Sequence, residues 1–334
     1  MIAEVRRIPH LPGESRASAG DNVARLNTFW DRQYPPGMID SLRTEDNRFA
    51  NLPGWSYEPQ YVFDLPGSEG LRMHYIDEGP PEAEVFLCLH GEPTWAYLFR
   101  RMIPTFLESG ARVVAPDFFG FGRSDKPVRD SVYTWDFHRR SLTAFIERLD
   151  LKDITLVVQD WGGLLGLSLG ADMSDRITGL LIMNTAPAVG GQPTQGFLDW
   201  RDYVARTPDM DVARLMKRTV PHLTDAEARA YDAPFPEVAY KAGVRRFPAI
   251  VPTDRGMDGV AISKEALRWW SDEFDGRSFM AIGATDPVLA STMPWVRDRI
   301  RGCPEPLILE DAGHFVQEWG EEVAKAALEH WESN

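Results

Sequence analysis

The chain has 334 residues, 43% of them hydrophobic, which is enough for one large α/β domain with an insertion or for two domains. Thirty-six basic against 50 acidic residues leave a net charge of −14 with no basic run, which argues against nucleic acid and anionic membranes as partners. Cys88 and Cys303 are the only cysteines, and the first falls in an apolar run, so free buried thiols in a reducing compartment are expected rather than a disulfide. Nothing in their spacing suits a metal, and no cofactor is called for.

Residues 1–19 contain Arg and Pro without an apolar centre, so they do not read as a secretory signal, and no stretch is long and apolar enough for a membrane span. The expected location is the cytoplasm. Residues 1–40 form an N-terminal extension with a short helix over 22–31, stopped by Tyr34-Pro-Pro-Gly37. Phe29 and Trp30 in it need cover, from the main domain or from a second subunit. The sequence does not choose between monomer and dimer.

Two strands follow at 60–65 and 71–76 with a Pro-Gly turn between them; His74 sits inside the second and reads as structural. A fully apolar strand over 85–89 ends at His90-Gly-Glu92-Pro-Thr-Trp95. From there apolar runs alternate with helical ones, the rhythm of a parallel sheet covered on both faces. The loop Asp117-Phe-Phe-Gly-Phe-Gly-Arg-Ser124 lacks both the glycine spacing and the lysine of a phosphate loop and reads as a structural turn.

After a helix over 135–149 comes Ile154-Thr-Leu-Val-Val-Gln-Asp160-Trp-Gly-Gly163, a β-branched run that ends on a carboxylate and opens into a helix through glycines. This is the layout of a nucleophile elbow, with Asp160 in the nucleophile position. A carboxylate there suits displacement at saturated carbon: the alkyl ester it forms is hydrolysable at its own carboxyl carbon, whereas serine would be left as an ether. A strand over 177–183 ends at Asn184, and then the rhythm breaks. Residues 187–274 carry helical segments interrupted by prolines and no strong strand, an inserted cap lying over the strand ends. Strands over 278–283 and 306–309 and a helix over 321–331 complete the core, which therefore comprises 41–186 and 275–334.

Asp160, Asp286 and His314 each follow a strand, in the order nucleophile, acid, histidine that an α/β-hydrolase shows. Asp160 attacks without a base, His314 deprotonates the water of the second step, and Asp286 holds the imidazole. The oxyanion that forms on the Asp160 side chain needs backbone N–H donors, expected from Trp161 and Glu92. The Glu92 carboxylate itself either positions the water or is a solvated loop group.

With HGEPTW, APDFFGFGRSDKP, VVQDWGG, FMAIGATD and DAGHFVQE in place, the chain resembles the haloalkane dehalogenases from about residue 41 to its end. The resemblance implies an α/β-hydrolase fold with a helical cap after the strand that follows the elbow. It also implies hydrolysis of a small halogenated hydrocarbon by water to an alcohol and halide. In the family the tryptophan after the nucleophile, here Trp161, donates its indole N–H to the halide. Some members add an asparagine directly after His-Gly; Glu92 occupies that place here, so the second donor should be a cap tryptophan. Trp200 fits best, sharing a helical face with Phe197 and Val204, while Trp269 and Trp270 read as core. Phe119, Leu164, Phe197, Phe247, Pro248, Val288 and Leu289 are the candidates for an apolar pocket. The competing reading is an epoxide hydrolase, which would need two cap tyrosines from Tyr203, Tyr231 and Tyr240.

Overall fold

A computed structural model of the chain describes residues 39–333. The expected helix over 22–31, with Phe29 and Trp30, lies outside the described residues. The central sheet has eight strands, comprising β2 (Gln60–Phe63), β3 (Arg72–Glu78), β4 (Val85–Leu89), β5 (Arg112–Pro116), β7 (Ile154–Val158), β8 (Ile177–Met183), β9 (Arg277–Gly283) and β10 (Leu307–Leu309). Their order across the sheet is β10-β9-β8-β7-β4-β5-β3-β2. A two-residue β1 (Ser41–Leu42) pairs separately with β6 (Lys126–Pro127).

The pairs β2/β3 and β3/β5 are antiparallel and all others in the sheet are parallel. The reason is visible in side-chain burial. β4 and β7 are buried at every position, as strands covered on both faces must be, whereas β2 at the edge is mostly exposed or half-buried. Because β7 stands beside β4 on one side and β8 on the other, the loops after these strands, which carry Glu92, Asp160 and Asn184, emerge together.

Between β8 and β9 the chain is helical, with α4 (Gln195–Arg206), α5 (Val212–Thr219), α6 (Asp225–Asp232), α7 (Ala242–Ile250) and α8 (Val260–Asp272), and it contains no strand. These follow α1 (Ile103–Glu108), α2 (Trp135–Arg148) and α3 (Asp160–Gly166), and precede α9 (Met293–Arg297) and α10 (Gly320–Glu332). Their starts follow ordinary capping chemistry. Thr134, Thr194, Asp211 and Thr224 each accept a first-turn N–H through the side chain.

The helix α8 packs on residues 167–171, with Trp270 donating its indole N–H to the Leu167 carbonyl at 2.7 Å, so Trp269 and Trp270 pack in the core as expected. In the middle of the helical segment, α6 is tied down by charge. Arg100 forms a two-pronged pair with Glu318 at 2.7 and 2.8 Å and reaches Glu227 at 3.1 Å, while Tyr231 hydrogen-bonds Glu318. Arg101 bridges Glu227 at 2.6 Å and Glu318 at 3.0 Å. Arg100 and Glu318 are 5% and 3% exposed, so their charges are satisfied by each other rather than by water.

Cys88 and Cys303 are free. Among the described residues no helix is long and apolar enough to cross a membrane, and no cluster of His, Cys, Asp and Glu could hold a metal ion.

Candidate active site

Asp160 sits at the junction of β7 and α3 with φ +49°, in the left-handed region that a non-glycine residue adopts only when its surroundings enforce it. Several contacts do so. The Asp160 N–H donates to the Asn184 carbonyl at 3.1 Å, and its own carbonyl accepts the Thr185 hydroxyl at 2.7 Å. Two residues on, a Cβ at Gly162 would lie 1.9 Å from the Leu89 carbonyl oxygen, so only glycine lets the helix start this close to β4. The turn thus lifts the Asp160 carboxyl clear of the sheet, 18% exposed into a cavity.

The carboxyl oxygens have different surroundings. Oδ1 accepts the Glu92 backbone N–H at 2.8 Å, and Oδ2 faces His314 Nε2 at 3.5 Å. His314 Nδ1 is 2.9 Å from Asp286 Oδ2. Asp286 is almost fully buried and accepts three further donors, from the Asn184 side-chain amide at 2.8 Å and the backbone of Val288 and Leu289 at 2.8 and 3.2 Å. Burial works to raise the Asp286 carboxyl, but His314 and these donors outweigh it and hold it below the ordinary carboxylate value. For His314 burial pulls the imidazolium down, yet Asp286 and Asp160 on its two sides lift it from 6.5 to about 10.

The loop carrying Glu92 is held from below by His90. Burial keeps this imidazole neutral; Nδ1 stands 2.9 Å from the Gly91 carbonyl and Nε2 accepts the Phe118 N–H at 2.9 Å. Another buried histidine, His74, pairs with Asp117 at 2.7 Å in the sheet, where both are closed off from the cavity. Asp117 in turn takes the backbone N–H groups of Ala96 and Arg123, so the glycine-rich loop is a hydrogen-bonded turn.

The cavity above Asp160 holds about 740 Å³, in the range of small-ligand sites. Of the expected pocket residues, Leu164, Phe197, Pro248, Val288 and Leu289 line it; Phe119 and Phe247 do not. Phe119 is buried against Phe137, and Phe247 lies behind the wall, its ring centre 4.3 Å from Trp161 and 4.6 Å from Phe121 and His138. Phe247 therefore supports the Trp161 indole rather than meeting substrate.

Trp200 lines the cavity with Glu92, Asp160 and Trp161. Its helix is fixed at the start, where Thr194 caps α4 and donates its hydroxyl to the Val288 carbonyl at 2.7 Å. A Cβ at Gly196 would come within 1.9 Å of the Pro287 carbonyl oxygen, which is how closely α4 docks on the loop that carries Asp286. Of the three candidate tyrosines, Tyr203 reaches the cavity, stacked on Trp200, whereas Tyr231 is engaged with Arg100 and Glu318 and Tyr240 lies elsewhere. The paired tyrosines of an epoxide hydrolase are not assembled here.

The family model of the alpha/beta hydrolase fold matches residues 84–321. The chain is 40% identical over 305 residues to the haloalkane dehalogenase of Psychrobacter cryohalolentis, covering 88% of this chain and 98% of that protein. It is also 42% identical to haloalkane dehalogenase 1 of Mycobacterium bovis, covering 87% and 98%. The chain belongs to the haloalkane dehalogenases. A solved structure of haloalkane dehalogenase DpaA from Paraglaciecola agarilytica, described as tetrameric, superposes with a TM-score of 0.85 at 51% identity, covering 87% of this chain and 98% of that one. The dehalogenase is thus a hydrolase of carbon–halogen bonds, taking halogenated substrates and releasing halide.

Several contributors to the dehalogenase site escape a reading of the sequence. Asn184 is uncharged and looks dispensable, yet it clamps Asp286. Gln159 is fully buried, and its amide nitrogen lies 2.9 Å from His314 Nε2 and donates to the His314 carbonyl at 3.1 Å. Arg218 and Trp295 stand at the cavity wall on elements distant in sequence. The one available signal was that Gln159 and Asn184 each occupy a strand end.

Proposed function

We propose that this dehalogenase works in two steps through a covalent alkyl ester on Asp160. Asp160 Oδ2 attacks the halogen-bearing carbon, the carbon–halogen bond breaks, and the halide leaves. His314 Nε2 then takes a proton from water, hydroxide adds to the Asp160 carboxyl carbon, and the ester oxygen departs with that proton as a primary alcohol. The restored carboxyl group gives up the remaining proton. The observation that carries this reading is the unequal treatment of the two Asp160 oxygens: Oδ1 is bound to the Glu92 N–H and Oδ2 is turned towards His314. Oδ1 then becomes the ester carbonyl, already seated on a donor for the negative charge that develops on it, with the Trp161 backbone N–H as the second donor.

Alkylation itself prepares the base. While Asp160 is charged it helps lift His314 to about 10, and the ester removes that charge, so the imidazole loses its proton more readily when water must be activated. Asp286 keeps the ring oriented. The halide is received by the indole N–H groups of Trp161 and Trp200, and residues 187–274 serve as the cap that carries Trp200 and closes the site.

The test is to replace His314 by Gln and follow 1,2-dibromoethane. Displacement needs no base, so one equivalent of bromide is expected in a burst, followed by arrest, with the added alkyl group mapping by mass to the peptide containing Asp160. A variant that binds substrate but releases no bromide overturns the mechanism.

A further inference from the structure

The cavity is larger than the chemistry at Asp160 requires. At about 740 Å³ it has the volume of a drug-sized ligand site, so a two-carbon haloalkane seated at Asp160 leaves most of it empty. Three of the side chains that line it form a row. The Trp200 ring stacks on Tyr203 with 5.8 Å between centroids, and the Arg218 guanidinium lies 5.8 Å from the centroid of the same Tyr203 ring. Exposure rises along the row: Trp200 is half-buried, Tyr203 is 36% exposed, and Arg218, in the last turn of α5, is exposed. The row therefore runs from the halide end of the cavity to its mouth.

Arg218 is the only Lys or Arg that lines the cavity, and it has no hydrogen bond or ion pair with any described residue. Its neighbour Lys217 pairs with Asp225 at 3.1 Å. Asp199, an exposed acid that also lines the cavity, accepts a hydrogen bond from Gln195 at 2.8 Å instead of pairing with Arg218. In a chain of net charge −14, this cation is left without an acidic partner at the entrance to an apolar pocket.

Charge then sorts the ways in which a chain with one anionic end can enter. A carboxylate lodged at the floor would stand beside Asp160 and the Glu92 carboxyl, which is 4% exposed and whose Oε1 already lacks a hydrogen-bond partner among the described residues. An unpaired anion there is costly. At the mouth the same carboxylate keeps its water and meets a guanidinium fork that matches its two oxygens. The halogen must then sit at the far end of the chain, with the methylene groups against the apolar wall.

Resting on the two-tryptophan reading of the halide end, we propose that Arg218 is a specificity residue for ω-haloalkanoates, holding the carboxylate of a medium-length chain at the mouth while the terminal halogen faces Trp161 and Trp200. Hydrolysis then yields the ω-hydroxyalkanoate, halide and a proton.

The experiment compares kcat/KM for 8-bromooctanoate and its uncharged methyl ester, and for 3-bromopropanoate and its methyl ester, in the wild type and in Arg218→Ala, Arg218→Lys and Arg218→Glu. The acid-to-ester ratio cancels any general loss from altering the cavity wall. For the eight-carbon pair this ratio should fall about fivefold in Arg218→Ala and further in Arg218→Glu, be kept by Arg218→Lys, and drop in the wild type as salt is raised. The three-carbon pair, too short to reach the mouth from Asp160, should show no such dependence. An unchanged eight-carbon ratio in Arg218→Ala overturns the proposal. So does an equal effect on the three-carbon pair, which would reduce Arg218 to a general attraction for anions. Calorimetry with octanoate, which carries no halogen, reads the carboxylate end by itself, and its affinity should fall about fivefold in Arg218→Ala. If it does so while no bromo compound releases bromide, the two-step reading fails and the carboxylate site stands; octanoate affinity indifferent to Arg218→Glu overturns the site.

Discussion

The side-chain amide of Asn184, at the end of β8, donates to Asp286 Oδ2 at 2.8 Å, the same oxygen that His314 Nδ1 approaches at 2.9 Å. The Asn184 amide also donates to the Gly283 carbonyl, and its Oδ1 accepts the Gly283 N–H, so one residue stitches β8 to the end of β9 and holds the acid in place. Asn184→Ala leaves buried groups unpaired and should cost about 1–3 kcal/mol of stability. It should also slow ester hydrolysis more than halide release. Comparing the burst and steady-state rates separates the two effects.

The close approach of Gly196 to the Pro287 carbonyl predicts that Gly196→Ala pushes the first turn of α4 off the Asp286 loop. Trp200 rides on that helix, and a displacement of about 1 Å at a reacting centre can cost on the order of a hundredfold in rate. Steady-state kinetics should show a reduced kcat with the fold retained by circular dichroism. Unchanged kinetics would mean that Trp200 is positioned from elsewhere.

Removing the Trp200 donor while keeping a ring, as in Trp200→Phe, should weaken bromide binding roughly 10- to 150-fold, the equivalent of about 1.5–3 kcal/mol for a hydrogen bond to a charged group. Fluorescence quenching measures it directly. Replacing Trp269 instead should leave halide affinity alone, because that ring packs on Gly170 outside the cavity.

Because His314 is raised in the folded state, the proton it holds favours folding. That contribution is whole below the unfolded value of 6.5 and is lost as pH climbs towards about 10. The stability advantage of the wild type over His314→Gln should therefore shrink across this window. Urea unfolding at several pH values checks it, and an advantage that grows with pH would reverse the assigned sign.

Asp160, Asp286 and His314 are legible in the sequence because each closes an apolar run, and a strand end in a parallel sheet is a place as well as a local pattern. What the pattern does not contain is which strands become neighbours. Asn184 reads as uncharged and idle until β8 is found beside β9. Pro248 lines the cavity while Phe247 beside it packs behind Trp161, a difference set by which face of α7 meets the cavity. The Glu92 backbone was foreseeable from its loop; the isolation of its carboxyl depends on packing around Trp200, which no local signal carries.

Breaking the Arg100–Glu318 pair from one side should be far costlier than any surface change. Glu318→Ala leaves Arg100 only its longer contact with Glu227 in a nearly waterless setting, and a loss of about 3–5 kcal/mol is expected from denaturant unfolding. Lys325→Ala, which removes an exposed pair with Glu321, should change stability by about 0–1 kcal/mol.

The same cluster sets a rule for exchanging helical segments between relatives. Arg100 and Arg101 belong to the invariable half of such a chimera, while Glu227 and Tyr231 travel with the graft. A donor segment that brings a new substrate pocket but lacks an acid and a hydroxyl at those two places would leave Glu318 alone to balance two cations. Successful grafts should be those that either import both residues or replace Arg100 by an apolar side chain of similar volume, so compatibility is decided at side chains that do not line the pocket being redesigned.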